Sequence, residues 1–325
     1  MQNNFFHLGE DLGMGANKLY GSTGSLQFLS QVAMNGSQHL SGVIGLRQLL
    51  RPLQIKTQHG SFYTGEGAHD YGRPVENLDF DRLTGSPEMM ALFYGSITRY
   101  QQQHGAITQP IVMMGGLPLQ MMSGDTAKEF ANQVRTRFKG THKWLADGRE
   151  EQIQIAEVKL IPQPVAALFD YVLDEEGKFI PDLAGLLKSE VGILSVGFNT
   201  LELLVVRDRA PVERFTAGQT VGVRRLLELV NTGNMYSLGE LDSALRAGRL
   251  DITNALPVWA REVNGEIEKR WGVAFKRFAR VIVVGGGALL LKEHLTRQFN
   301  GKAVLPDNPV LSIARGLYKL LLMKR

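Results

Sequence analysis

Two segments of this chain share one plan: an apolar strand pattern stops at a glycine turn and resumes at once as a second strand pattern. The first is GEDLGMGANKLYG, Gly9–Gly21, with glycines at alternate positions 13 and 15. The second is VGILSVGFNTLELLVV, residues 191–206, with its turn at Gly197. Such a repeat points to two halves, each built around its own sheet. A chain of 325 residues suits two domains, or one domain duplicated internally.

The segments between carry helix signals. SPEMMALFYGSITRYQQQHG opens with Ser86 as an N-cap and Pro87 at the first helical position, and Gly105 stops it. SGDTAKEFANQVRTRFKG reads as an amphipathic helix ending at Gly140. QIQIAEVKLIPQPVAALFDYVL reads as a strand, a Pro-rich elbow and a helix. In the second half, GVRRLLELVN, LGELDSALRAG and PVWAREVNGEIEKRWG are helical. ARVIVVGGGALLLKEHLTRQF is an apolar strand running through three glycines into a helix, and PVLSIARGLYKLLLMKR is a further helix. The fold class is therefore α/β, with two halves facing a common cleft.

Composition narrows the chemistry. There is no cysteine, which excludes thiol catalysis, thiolate metal sites and disulfides. The net charge of +4 is mild, so nothing argues for direct nucleic-acid binding. The apolar runs fall far short of the roughly 18 to 20 residues that cross a bilayer. No basic segment followed by a long apolar core opens the chain, and the expected location is the cytoplasm.

Backbone N–H groups at a glycine turn can approach an anion closely because no Cβ intervenes. Gly13, Met14 and Gly15 could wrap a phosphate, and Lys18 on the outgoing strand could reach it as a point charge. Asp11 suits Mg²⁺ held through water, since that ion keeps most of its waters and uses few carboxylates. Gly197, Phe198, Asn199 and Thr200 form a second such turn. Gly285, Gly286, Gly287 and Ala288 form a third, at a strand-to-helix junction where a flat base could lie against bare backbone. Taken alone, each turn reads rather as a plain strand connection, Asp11 as a turn carboxylate, and Lys18 as a solvated strand residue; the order of all three shifts the reading. No Walker-type loop, G-x-S-x-G elbow or H-E-x-x-H motif is present.

The order of the three turns, with LIPQPVAAL between the first two, resembles the actin-like ATPase superfamily. That superfamily has duplicated actin/Hsp70/hexokinase-like (ribonuclease H-like) domains around a nucleotide cleft. Within it the chain looks most like the bacterial and archaeal actin-like proteins of the plasmid-segregation type. DLGMGANK resembles the first phosphate loop, SVGFNTLEL the second and VVGGGALLL the adenosine motif; MMGGLPL, FYTGEGAHDYG and ARGLY are softer matches. The resemblance implies domains at 1–158 and 159–310, with 311–325 packing back on the first. It implies ATP or ADP with Mg²⁺ as cofactors, Asp11 as the metal-facing residue, and Gln163 as the residue that orients the attacking water. It also implies self-assembly head to tail, with an adaptor protein as a further partner. One departure stands out: the second phosphate loop usually begins with Asp, and here Ser195 occupies that place. Glu202 and Asp170 are acids that could compensate. A filament-forming ATPase is the leading expectation; a non-polymerising nucleotide-binding scaffold and a small-molecule kinase are the others. The segment HGSFYTGEGAHDYGRPVENLDF, residues 59–80, is expected to offer Phe62, Tyr63 and Tyr71 to a neighbouring subunit.

Overall fold

A computed structural model of the chain describes residues 5–34, 51–76 and 83–323. The end of the aromatic segment, residues 77–80, lies outside the described residues. Ten strands make the first sheet: β1 (Phe6–Leu12), β2 (Ala16–Gly21), β3 (Gly24–Leu29), β4 (Val32–Met34), β5 (Leu53–Thr57), β6 (Gly60–Thr64), β7 (Arg73–Pro74), β8 (Ile111–Leu117), β9 (Gly140–Ala146) and β10 (Arg149–Pro162). Their spatial order is β3-β2-β1-β8-β10-β9-β5-β6-β4-β7. Six more make the second sheet: β11 (Val191–Val196), β12 (Leu201–Arg207), β13 (Ala210–Pro211), β14 (Ala217–Gln219), β15 (Arg280–Val284) and β16 (Ala303–Val304). They run β13-β12-β11-β15-β16, with β14 beside β12.

The duplication is explicit in the pairing. In each sheet a hairpin, β1–β2 or β11–β12, is followed by a parallel neighbour, β8 or β15, and by a second parallel strand, β10 or β16. β1 and β11 each end where their glycine turn begins, at Leu12 and Val196. Ligands of open α/β sheets bind at such carboxyl ends of strands.

Helices α1 (Pro87–His104) and α2 (Ala127–Phe138) cover the outer face of the first sheet. The α1 limits match Ser86, Pro87 and Gly105, whose φ of 94° ends the helix. Helix α2 stops at Phe138, two residues before Gly140, because Gly140 already belongs to β9. Helix α3 (Gln163–Val172) starts directly after β10, and a short α4 (Pro181–Ala184) follows it. Helices α5 (Val223–Val230), α6 (Leu238–Arg246) and α7 (Leu256–Trp271) flank the second sheet. The strand–glycine–helix run breaks into α8 (Gly286–Leu290) and α9 (Lys292–Gln298).

Helix α10 (Ser312–Leu322) and α3 lie back to back between the sheets, α10 against β1, β2 and β8, and α3 against β11, β12 and β15. A Cβ at Gly9 would sit 2.2 Å from the Ala314 carbonyl, and one at Gly316 would sit 1.9 Å from that of Ala166. Both contacts need glycine. Asp170 of α3 binds the two together, accepting from Ser312 Oγ (2.6 Å) and from Arg315 Nε (2.6 Å) and Nη2 (2.8 Å). Lys319 adds a 3.1 Å ion pair to the same carboxylate.

Inside the first core, Glu10 is fully buried and neither carboxylate oxygen has a partner among the described residues. Burial, and then the charge of Asp11, push its pKa well above the usual carboxylate range against the pull of Lys18. A folded-state pKa above the unfolded one means stability that is full below about pH 4.5 and lost as pH rises toward the raised value. Glu10→Gln is therefore expected to melt higher than the wild type at pH 8, by the equivalent of about 1–3 kcal/mol. The gap should close toward pH 5. Melting curves that stay parallel across this range would contradict an uncompensated acid.

Candidate functional site

Asp11 stands at the end of β1, opposite Lys18 in the β1–β2 hairpin. Its side chain is almost wholly buried and both oxygens are engaged. Lys18 Nζ donates to Oδ2 at 2.9 Å, and Gln163 Nε2 donates to Oδ1 at 2.7 Å. Gln163 is the first residue of α3, so the β10–α3 elbow aims it at the β1 terminus. With its amide nitrogen spent on Asp11, its Oε1 is the atom left to accept a hydrogen bond from a water. Lys18 folds back over Gly13, where a Cβ would lie 2.8 Å from the ammonium. Ser30 braces the turn, donating from Oγ to the Gly13 carbonyl (2.6 Å) and from its N–H to that of Gly15 (3.1 Å).

The second turn is held from the other side. The carbonyls of Gly197, Phe198 and Asn199 accept from the N–H groups of Val223 (3.0 Å), Arg224 (2.8 Å) and Gly222 (3.1 Å). Their negative ends thus point to the start of α5. The two turns meet: a Cβ at Gly15 would lie 2.7 Å from the Phe198 side chain. In the third turn Gly285 has φ 94° and packs on the Val196 carbonyl, where a Cβ would come within 2.3 Å.

A cavity of about 340 Å³ lies between the halves. Asp11, Gly13, Met14, Gly15, Lys18 and Gln163 line it from one side; Ser195, Gly197, Phe198, Asn199, Thr200, Gly285 and Gly286 line it from the other. Gly287 and Ala288 do not. Gly287 is buried under Val196 and Trp259, and Ala288 is in the second core. Phe62 and Tyr63 also differ from expectation. They are buried in β6, Phe62 in the first core and Tyr63 with its ring 5.5 Å from that of Tyr71. They face their own half because β6 is an interior strand, paired on both sides with β4 and β5.

The cavity also holds residues with no sequence motif. Asp242 and Arg246 of α6 line it as a 2.7 Å ion pair, beside Leu245, Leu289, Leu290 and Val310. An acid and a base four apart on a helix read as a surface pair, and nothing local distinguishes this one. Of the acids that could stand in for the charge missing at Ser195, Asp170 is spent between α3 and α10. Glu202 is different. It is buried opposite Ser195 on β12, its Oε1 accepts from the Leu119 N–H of the first half at 2.6 Å, and its Oε2 has no partner among the described residues. Burial first, and the charge of Asp11, push its pKa up to about 8 against the pull of that N–H.

Farther out, polar contacts close the mouth between the halves. Gln31 Nε2 donates to Ser243 Oγ (2.7 Å) and to the Gly239 carbonyl (3.0 Å), and Glu76 accepts from the Leu238 N–H (2.7 Å). No described helix is long and apolar enough to cross a membrane.

A search of curated proteins finds no match. Solved structures do match, across nearly the whole chain. The 15-stranded ParM filament from Clostridium botulinum aligns with a TM-score of 0.76 at 18% identity, over 98% of this chain and 99% of the other. The ADP complex of Ta0583, an archaeal actin homolog, gives 0.71 at 18%, over 98% and 99%. Apo psk41 ParM gives 0.72 at 16%, over 98% and 97%. At such identities the likeness is one of fold. Family models carry the relationship further: residues 9–165 match the N-terminal domain of actin-like proteins, residues 193–297 match the C-terminal domain of the archaeal MreB-like actin homologue, and the chain belongs to the actin-like proteins.

Proposed function

We propose that this chain binds Mg-ATP in the cleft, hydrolyses it slowly and assembles head to tail into filaments that serve DNA or plasmid segregation through an adaptor. The observation that carries the catalytic part is the convergence of Lys18 and Gln163 on the two oxygens of Asp11, at the edge of a cavity that the second and third turns complete. The filament and segregation parts come from what the similar ParM and filament structures are described as being.

The residues suit Mg²⁺. Among the described residues no three acids or histidines form a cage, which fits an ion bound mainly by phosphates and water, with Asp11 facing its waters. When bound, that ion neutralises charge on the phosphates. The chain's own residues do the rest. Lys18 exchanges Asp11 for a phosphate oxygen as the nucleotide enters. The glycine turns present backbone where side chains would collide. Gln163 Oε1 accepts from a water and lines it up behind the γ-phosphorus; that water's oxygen forms the new P–O bond as the bond to ADP breaks. An amide is a poor base, so catalysis rests on positioning and the rate is low.

Gln163→Ala is expected to slow phosphate release by about 10- to 1,000-fold, while ATP affinity stays within a few-fold. Single-turnover assays on fully bound protein make the comparison. Loss of binding with a normal rate per bound ATP would remove the assigned role. Ser195 favours a second reading, a nucleotide-binding scaffold that does not polymerise, because it lines the cavity where the family's carboxylate is missing.

A further inference from the structure

We infer that Glu202 supplies the second carboxylate of the phosphate end of the cleft, in place of the acid that Ser195 lacks. The inference rests on the proposed Mg-ATP reading and adds a residue to it.

Three observations support the assignment. Ser195 and Glu202 are direct partners across the β11–β12 pair, so their side chains leave the same face of the sheet. Cβ atoms so placed are about 5 Å apart, and glutamate is one methylene longer than aspartate. Its carboxylate can therefore come near the position that an aspartate at 195 would occupy. Next, Ser195 lines the same cavity as Asp11, so Glu202 stands beside a cleft-lining residue on the face of the sheet turned to the cleft. Last, Glu202 Oε2 is buried without a partner among the described residues, while Oε1 is fixed by the Leu119 N–H. A buried carboxylate oxygen left unpartnered is costly unless something arrives to meet it. A hydrated divalent cation facing Asp11 would bring both positive charge and hydrogen-bond donors.

The other acids do not fit. Both oxygens of Asp170 are taken by Ser312 and Arg315 in the α3–α10 junction. Asp242 is paired with Arg246. Glu10 is on the opposite face of β1 from Asp11, since successive strand residues alternate. A purely structural account of Glu202, as a tie between Leu119 and β12, uses one oxygen and leaves the other unexplained.

The test is the Mg²⁺ dependence of ATP affinity, measured by equilibrium titration across Mg²⁺ concentrations and in EDTA. Glu202→Gln keeps an acceptor for the Leu119 N–H but can never ionise toward a cation. It should leave affinity in EDTA unchanged and raise the Mg²⁺ needed for half-maximal tightening by about 10- to 100-fold. Ser195→Asp added to Glu202→Gln should restore the wild-type requirement to within a few-fold, a coupling that a double-mutant cycle reads directly. Ser195→Asp alone, with Glu202 intact, should not lower the requirement. An unchanged requirement in Glu202→Gln, a double variant no better than the single, or a lowered requirement in Ser195→Asp alone would each overturn the assignment; the last needs no change at Glu202. A wild type whose ATP binding ignores Mg²⁺ would instead overturn the Mg-ATP reading beneath it.

Discussion

Asp11→Ala is expected to bring ATP hydrolysis to background and to remove the Mg²⁺-dependent part of nucleotide binding. Among the described residues, Asp11 is the group that engages Lys18 and Gln163 together, at 2.9 and 2.7 Å. Alanine would leave the largely buried Lys18 ammonium without its counter-ion and free Gln163 to rotate. Loss of one preorganised electrostatic group costs about 100- to 1,000-fold in rate, and here a second positioning group is disturbed with it. Because a partly buried cation is left unpaired, melting should be recorded beside the kinetics. Asp11→Asn separates the effects: its amide can still accept from Lys18 or Gln163 but carries no charge toward a cation. Phosphate release that survives either change at the wild-type rate would remove Asp11 from the site.

Assembly is the second large effect. The chain should sediment as polymer with Mg²⁺ and ATP, or a slowly hydrolysed analogue, and far less with ADP. Head-to-tail contacts are heterologous, so they need not close and can run on as filaments. Because Phe62 and Tyr63 are inside their own half, they cannot be the contact. The same segment offers exposed charges instead, Glu66, Asp70 and Arg73, and reversing these is the direct probe. The reversals should lower sedimentation and leave ATP binding intact. A wild type that stays monomeric at roughly tens of micromolar, across salts and nucleotides, would give the case to the scaffold.

What could be read from the residues depended on how local the cause was. The limits of α1 follow from Ser86, Pro87 and Gly105, all within one turn of the ends they set. The hairpin of β9 and β10 went unread, although its turn has a local cause in Asp147–Gly148, both at positive φ, a pair that favours a tight primed turn. The glycine turns themselves were legible because glycine marks close backbone approach. Which glycines face the cavity was not, since Gly286 and Gly287 differ only in what the fold sets against them. The burial of Phe62 and Tyr63 was not legible because, beyond the local β5–β6 hairpin, β6 takes β4 as its second partner, and no short stretch reveals that pairing. Asp242, Arg246 and Glu202 reach the cleft region through strand order and helix packing, which act over the whole chain.

The seating of α10 on β1 bears on how the chain reaches its native state. Gly9 and Ala314 touch although they are separated by roughly three hundred positions, and contacts of that span close slowly because the loop entropy must be spent before they reward it. During synthesis the inner face of the first sheet stays uncovered until residues 312–322 emerge. The first half can form its hairpins and its outer core on the ribosome, but the Asp11 face is finished last. Exposed apolar strand surface held open for that interval is where aggregation competes with folding. A fragment ending before residue 312 should therefore collapse without settling, exposing dye-binding apolar surface.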